Sequence, residues 1–103
     1  MTDKTFATEQ EKFWAGEFGT EYIDRNKGDA LLASNLNFFT HALRSAGKFG
    51  SCIEFGANIG MNLKALKLLH PELKLQGIEI NEDAAAQLGE VVGNENVFCE
   101  SIF

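Results

Sequence analysis

Residues 53–60 read Ile53-Glu54-Phe55-Gly56-Ala57-Asn58-Ile59-Gly60, a strand that runs into a tight turn and then a helix. The strand is the short apolar run Ser51–Phe55, which stops at Gly56 as a buried parallel strand does. Met61 to His70 reads as a helix with Leu63, Leu66 and Leu69 on one face, and Pro71 stops it. Leu75–Ile80 reads as a second strand, after which Asn81 can cap a helix that carries Ala84, Leu88 and Val92 and closes at Gly93. Asn96–Glu100 is a third strand. The order β-α-β-α-β implies a parallel sheet with right-handed crossovers, half of a doubly wound α/β domain.

Upstream, the chain reads as helical. Thr8 and Glu11 fit a capping box, with Thr8 capping the helix and Glu11 reaching back; the helix carries Phe13 and Trp14 and is interrupted at Gly16. A second short segment holds Tyr22, Ile23 and Arg25. Asp29 can cap a longer helix to about Ala46, with Leu32, Leu36, Phe39 and Leu43 as its apolar stripe, and Gly47 stands where a C-cap glycine belongs. Two parts are expected: a helical cap over residues 1–48 and a β-α-β-α-β half-domain over residues 49–103, within one continuous domain.

The remaining composition narrows the function classes. The chain has 103 residues, 45% of them apolar, so disorder is excluded and one domain is the ceiling. Nine Lys and Arg stand against fifteen Asp and Glu, a net charge of −6, which argues against nucleic acid and anionic membranes as partners. No apolar run has the ~18–20 residues of a membrane helix, and Met1–Gln10 is polar, without the apolar core of a signal peptide. Cys52 and Cys99 form no zinc pattern with His41 and His70, so no metal is expected. A reducing cytoplasm with both thiols acting as small hydrophobes fits best.

The turn after the first strand decides between two nucleotide patterns. A dinucleotide fingerprint G-x-G-x-x-G starting at Gly56 requires glycine at 58 and 61, where Asn58 and Met61 stand. The looser G-x-G-x-G of S-adenosylmethionine enzymes requires glycine at 56, 58 and 60. Only Asn58 departs from it, and asparagine tolerates positive φ better than other non-glycine residues. Glu54 precedes the loop and Glu79 closes the second strand. A carboxylate there can accept hydrogen bonds from both ribose hydroxyls and would repel a 2′-phosphate, which disfavours NADP. Ile80 can lie against an adenine face.

Residues 53–60 together with Gly77-Ile78-Glu79-Ile80-Asn81 resemble the first two motifs of class I S-adenosylmethionine-dependent methyltransferases. The string Gln10-Glu11-Lys12-Phe13-Trp14-Ala15-Gly16-Glu17-Phe18-Gly19-Thr20-Glu21-Tyr22-Ile23-Asp24-Arg25-Asn26, with Glu54-Phe55-Gly56-Ala57-Asn58-Ile59-Gly60-Met61-Asn62-Leu63, is similar to the pseudaminic acid biosynthesis-associated methyltransferases. These are bacterial proteins tied to the nonulosonic-acid sugars of flagellin and surface polysaccharide. The resemblance runs from about residue 9 to 103.

The resemblance implies a Rossmann-like fold, S-adenosyl-L-methionine as cofactor and a small-molecule acceptor such as a nonulosonic-acid sugar derivative. Glu54, Gly56, Ala57, Asn58 and Gly60 would surround the methionine and ribose portions. Glu79 would hold the ribose, Ile80 would pack on adenine, and Ser101 with Ile102 would reach the adenine edge. Tyr22, Arg25 and Asn26 would close over the site, with Arg25 pairing the cofactor's carboxylate. The chemistry of this class is in-line attack on the sulfonium methyl, for which the enzyme chiefly positions the reactants. No residue is identified as a general base.

The resemblance also implies a longer sheet, in which a fourth strand pairs with the first. The chain is therefore expected to be an N-terminal portion. Its first strand would have an open apolar edge, so the chain is expected to oligomerise, swap strands or be marginally stable. With the second strand between them, Cys52 and Cys99 should lie roughly 9–10 Å apart, too far for a disulfide. Two rival functions stay open at this level: an NAD-dependent oxidoreductase or sugar epimerase, and a non-catalytic Rossmann-like binding module.

Overall fold

A computed structural model of the chain describes residues 8–16, 19 and 28–103. Its helices and strands follow in the order α1 (Glu9–Ala15), α2 (Asp29–Ala42), β1 (Ser51–Phe55), α3 (Met61–Leu69), β2 (Lys74–Ile78), α4 (Glu82–Val92) and β3 (Val97–Phe98), with a 3-10 turn at Asn94–Asn96 before the last strand. The segment around Tyr22, Ile23 and Arg25 lies outside the described residues.

The three strands form a parallel sheet in the order β1-β2-β3. Its register runs from Ser51 opposite Lys74 to Phe55 opposite Ile78, then Gly77 opposite Val97 and Ile78 opposite Phe98. The alternation of short strands and helices forecast this α/β arrangement, because each parallel pair needs a crossover helix. No disulfide joins Cys52 and Cys99, and β2 lies between them. Cys99 follows the end of β3 rather than lying within it.

The core sits on one face of the sheet. Leu63 and Leu66 of α3, Leu75 of β2, Leu88 of α4, Ala57 and Leu73 are buried together. Phe39 and Leu43 from the α2 stripe, with Cys52 and Val97, pack around them. On the opposite face Ile53 is 45% exposed, Phe55 64% and Phe98 38%, while Gln76 and Ile78 of β2 are half-buried. The expectation of a buried first strand is thus corrected, since β1 is covered on its Cys52 and Glu54 side alone.

Several boundaries move for local reasons. Asp29 does not cap α2. Gly28 holds the N-cap position at φ 125°, and Asp29 is the first helical residue, where its charge meets the positive helix end. That helix ends at Ala42 instead of about Ala46. Near its end the Thr40 hydroxyl donates to the Leu36 carbonyl, and the chain then tightens into i→i+3 bonds from Arg44 to His41 and Ala46 to Leu43. Gly47, at φ 73°, serves the turn beyond and is not the helix cap. The third strand shrinks to two residues. Asn96 is drawn into the 3-10 turn by its N–H bond to the Gly93 carbonyl, and the Glu100 N–H folds back onto the Phe98 carbonyl.

At α1, the Thr8 hydroxyl accepts the Glu11 N–H at 3.0 Å and Gly16 ends the helix. The Glu11 side chain meets the Thr8 hydroxyl at 3.4 Å.

Candidate functional site

The loop from β1 to α3 is folded by its own backbone. The N–H groups of Gly56 and Ala57 both donate to the Ile78 carbonyl, at 2.8 and 2.9 Å, which ties the loop to the end of β2. Gly56, Asn58 and Gly60 all have positive φ, at 72°, 55° and 86°. Asn58 is the one non-glycine residue with positive φ among those described, so it occupies the glycine position of the G-x-G-x-G pattern with the glycine conformation. Gly60 is constrained twice. It is left-handed at the N-cap of α3, and a Cβ there would stand 2.7 Å from Leu88 Cδ1.

Glu79 closes this loop from the other side. Its Oε1 accepts the Asn58 N–H at 2.8 Å and its Oε2 accepts the Asn81 N–H at 2.8 Å. The residue is only 9% exposed. Its two backbone partners were not foreseen from the sequence. They fix the carboxylate in one orientation, and each oxygen keeps a lone pair for a further donor. Asn81 extends the brace. Its Oδ1 accepts the Ala84 N–H at 3.0 Å, capping α4 as expected, while its Nδ2 donates to the Trp14 carbonyl at 3.2 Å and so holds the end of α1.

These elements enclose a cavity of about 340 Å³ at the carboxyl ends of β2 and β3. Gly56, Asn58, Glu79, Ile80, Ser101 and Ile102 all line it, and Trp14 and Glu11 of α1 form its opposite wall. The carboxyl ends of parallel strands are where open α/β sheets bind ligands. A smaller cavity of about 190 Å³ lies beyond the loop, lined by Glu54, Ala57 and Asn58 together with Asn35 and Asn62. The Glu54 Oε2 accepts from Asn62 Nδ2 at 2.7 Å, whereas its Oε1 is buried with no hydrogen-bond partner. Burial pushes the Glu54 carboxyl above its ordinary value of 4.5, the Asn62 bond pulls it down, and the Glu79 charge pushes it up again.

Nine of the twelve positions singled out from the sequence are described, and eight of them line one cavity or the other. Gly60 lines neither and acts through the turn it permits. Tyr22, Arg25 and Asn26 lie outside the described residues. Sequence reasoning missed Trp14 and Asn81 as wall and brace, and it missed Asn35 and Asn62. Single polar side chains on helices carry no spacing signal that would mark them. The histidines stay away from both cavities. His41 Nδ1 lies 3.2 Å from Arg44 Nη2, and the His70 ring packs edge-on against Phe49. No group of three potential metal ligands occurs among the described residues, and no helix there is long and apolar enough to cross a membrane.

No family model and no curated protein matches the chain. Solved structures do. The plantazolicin methyltransferase BpumL in complex with SAH and a pentazolic desmethylPZN analogue superposes with a TM-score of 0.61 at 18% identity, over 90% of this chain and 38% of that one. The same enzyme with SAH alone gives 0.59 at 18% identity, over 89% and 38%. The chain has the fold of part of a Rossmann-like methyltransferase, and it spans well under half the length of the structures it matches.

Proposed function

We propose that the chain is the cofactor-binding part of an S-adenosylmethionine-dependent methyltransferase. The observation that carries this reading is Glu79, held by two backbone N–H groups in a cavity that Gly56 and Asn58 of the loop after β1 also line. About 340 Å³ falls within the roughly 300–1,000 Å³ of small-ligand sites. The residues fit the group. Ile80 and Trp14 offer apolar walls for adenine, Glu79 offers acceptors for the ribose, and the orphaned Glu54 Oε1 offers an acceptor for an ammonium group. Ser101 and Ile102 complete the adenine edge, while Tyr22, Arg25 and Asn26 are proposed to close the site. The bound cofactor would supply an electrophilic methyl group on a cationic sulfonium. This chain's acidic side chains favour such a cation, and its loop backbone orients it. The SAH carried by the structural neighbours supports the reading.

The acceptor is proposed to be a small molecule, a nonulosonic-acid sugar derivative, in the bacterial cytoplasm. The resemblance of residues 10–26 and 54–63 to the pseudaminic acid-associated enzymes supports it. A second copy is proposed to pair with the open edge of β1.

Calorimetry with S-adenosylmethionine, S-adenosylhomocysteine and NAD tests the cofactor. Binding of the two methionine-derived ligands, lost in Glu79→Ala, is the expected result. NAD binding alone points to an oxidoreductase or epimerase, and binding of none points to a non-catalytic module. Transfer of an isotopic methyl group to nonulosonic acids by the full-length protein tests the acceptor; transfer confined to other acceptors rejects it.

A further inference from the structure

Glu54 does not stand alone at the smaller cavity. Its Oε2 accepts from Asn62 Nδ2 at 2.7 Å, and Asn62 Oδ1 in turn accepts from Asn35 Nδ2 at 3.0 Å. The three side chains come from β1, α3 and α2, and Asn35 lies 27 residues before Asn62. The direction of the chain is set by its end. A carboxylate can only accept, so Asn62 must turn its NH₂ toward Glu54 and its carbonyl toward Asn35. The other carboxylate oxygen, Oε1, is buried and has no partner. All three residues line the same cavity of about 190 Å³, which adjoins the larger one along Gly56 and Asn58.

A buried acceptor without a donor is costly, and one held rigidly in a small polar cavity is suited to a ligand that brings the donor. We propose that Asn62 and Asn35 are positioning residues, which hold Glu54 so that its unpaired oxygen receives the ammonium group at the amino-acid end of the cofactor. This deepens the methyltransferase reading and rests on it. Asn62 sets the orientation of the carboxylate, and Asn35 sets the orientation of Asn62. Neither touches the adenosine cavity. The relay makes the packing of α2 against α3 part of cofactor recognition, because a shift of α2 removes the partner of Asn62.

Two ligands separate this role from a merely structural one. S-Adenosylhomocysteine carries the amino-acid end, and 5′-methylthioadenosine lacks it while keeping adenosine and sulfur. Their affinities are measured by calorimetry on the wild-type chain, Asn62→Ala, Asn35→Ala and the double variant. Asn62 is exposed, so its truncation leaves the core intact, and Asn35→Ala leaves the Glu54 contact chemically unaltered. Asn62→Ala is expected to weaken S-adenosylhomocysteine about tenfold, the scale of a hydrogen bond to a charged group, and to leave methylthioadenosine within about twofold. Asn35→Ala should cost less, and the double variant no more than Asn62→Ala alone. Equal weakening of both ligands, no weakening of either, or additive losses would overturn the relay. Wild-type chain that binds neither ligand overturns the methyltransferase reading itself.

Discussion

The Asn58 backbone N–H and the Glu79 Oε1 are 2.8 Å apart, and this bond joins the turn after β1 to the end of β2 across 21 residues of sequence. Glu79 is thereby a structural brace as well as a candidate ligand group. Glu79→Gln keeps one acceptor oxygen and leaves one of the two backbone donors facing an NH₂. It should destabilise the chain by about 1–3 kcal/mol, and Glu79→Ala by at least as much. Urea unfolding of the three proteins checks this. A change under about 0.5 kcal/mol for Glu79→Gln would show that the two bonds contribute little.

The φ of 55° at Asn58 predicts an ordered series of substitutions. Asn58→Gly should be neutral or slightly stabilising, because glycine adopts that conformation freely. Asn58→Val should lose about 1–2 kcal/mol, the usual cost of a side chain forced into the left-handed region. Gly60→Ala should cost at least as much, since its Cβ meets Leu88 within 2.7 Å in addition. Chemical unfolding that ranks Asn58→Val above Asn58→Gly in stability would contradict the described turn.

The Glu54 carboxyl titrates above its ordinary value of 4.5, chiefly through burial, so between that value and the raised one, and only there, the folded state holds a proton that the unfolded state has released. The sign follows from linkage: stability falls as pH rises from about 4.5 through the raised value, and is constant with respect to this group outside that window. Glu54→Gln should remove that downward slope and unfold at higher denaturant than wild type near pH 7. Parallel pH profiles for the two proteins would show that Glu54 is not the titrating group. A bound ammonium ligand should reverse the trend by favouring the carboxylate.

The apolar side chains exposed on one side of the sheet predict association. Ile53, Phe55 and Phe98 present apolar surface, and β1 has one paired edge among the described residues. Sedimentation should show a weight-average mass that rises with concentration, and Phe55→Lys should suppress the rise without lowering the unfolding free energy by more than about 0.5 kcal/mol. A concentration-independent monomer would count against strand pairing between copies.

Much of this was legible in the chain. Ser51–Phe55 was bounded by its apolar run and Gly56, and the α4 cap was announced by Asn81. The loop conformation was readable too, because two glycines and an asparagine at alternate positions permit the left-handed turns found there. Less readable were the ends of α2, β2 and β3. Those ends are set by hydrogen bonds between backbone groups, such as Glu100 N–H to the Phe98 carbonyl, which any residue type can make. The exposed side of β1 was misread because an apolar run says that a strand can be buried, not that something covers it.

Local spacing alone determined that the chain would alternate strand and helix, place Glu79 at the end of the second strand and put a glycine-rich turn beside it. Those properties depend on periodicity and on the φ each residue tolerates, which neighbours in sequence decide. Tertiary structure alone decided what the side chains do. Only folding brings Asn35 to Asn62 and Asn62 to Glu54, leaves one Glu54 oxygen without a donor, and turns Glu79 into the clasp between two loops. A hydrogen bond needs its partners within about 3 Å and aligned, and no pattern in a linear sequence specifies that for side chains on separate elements.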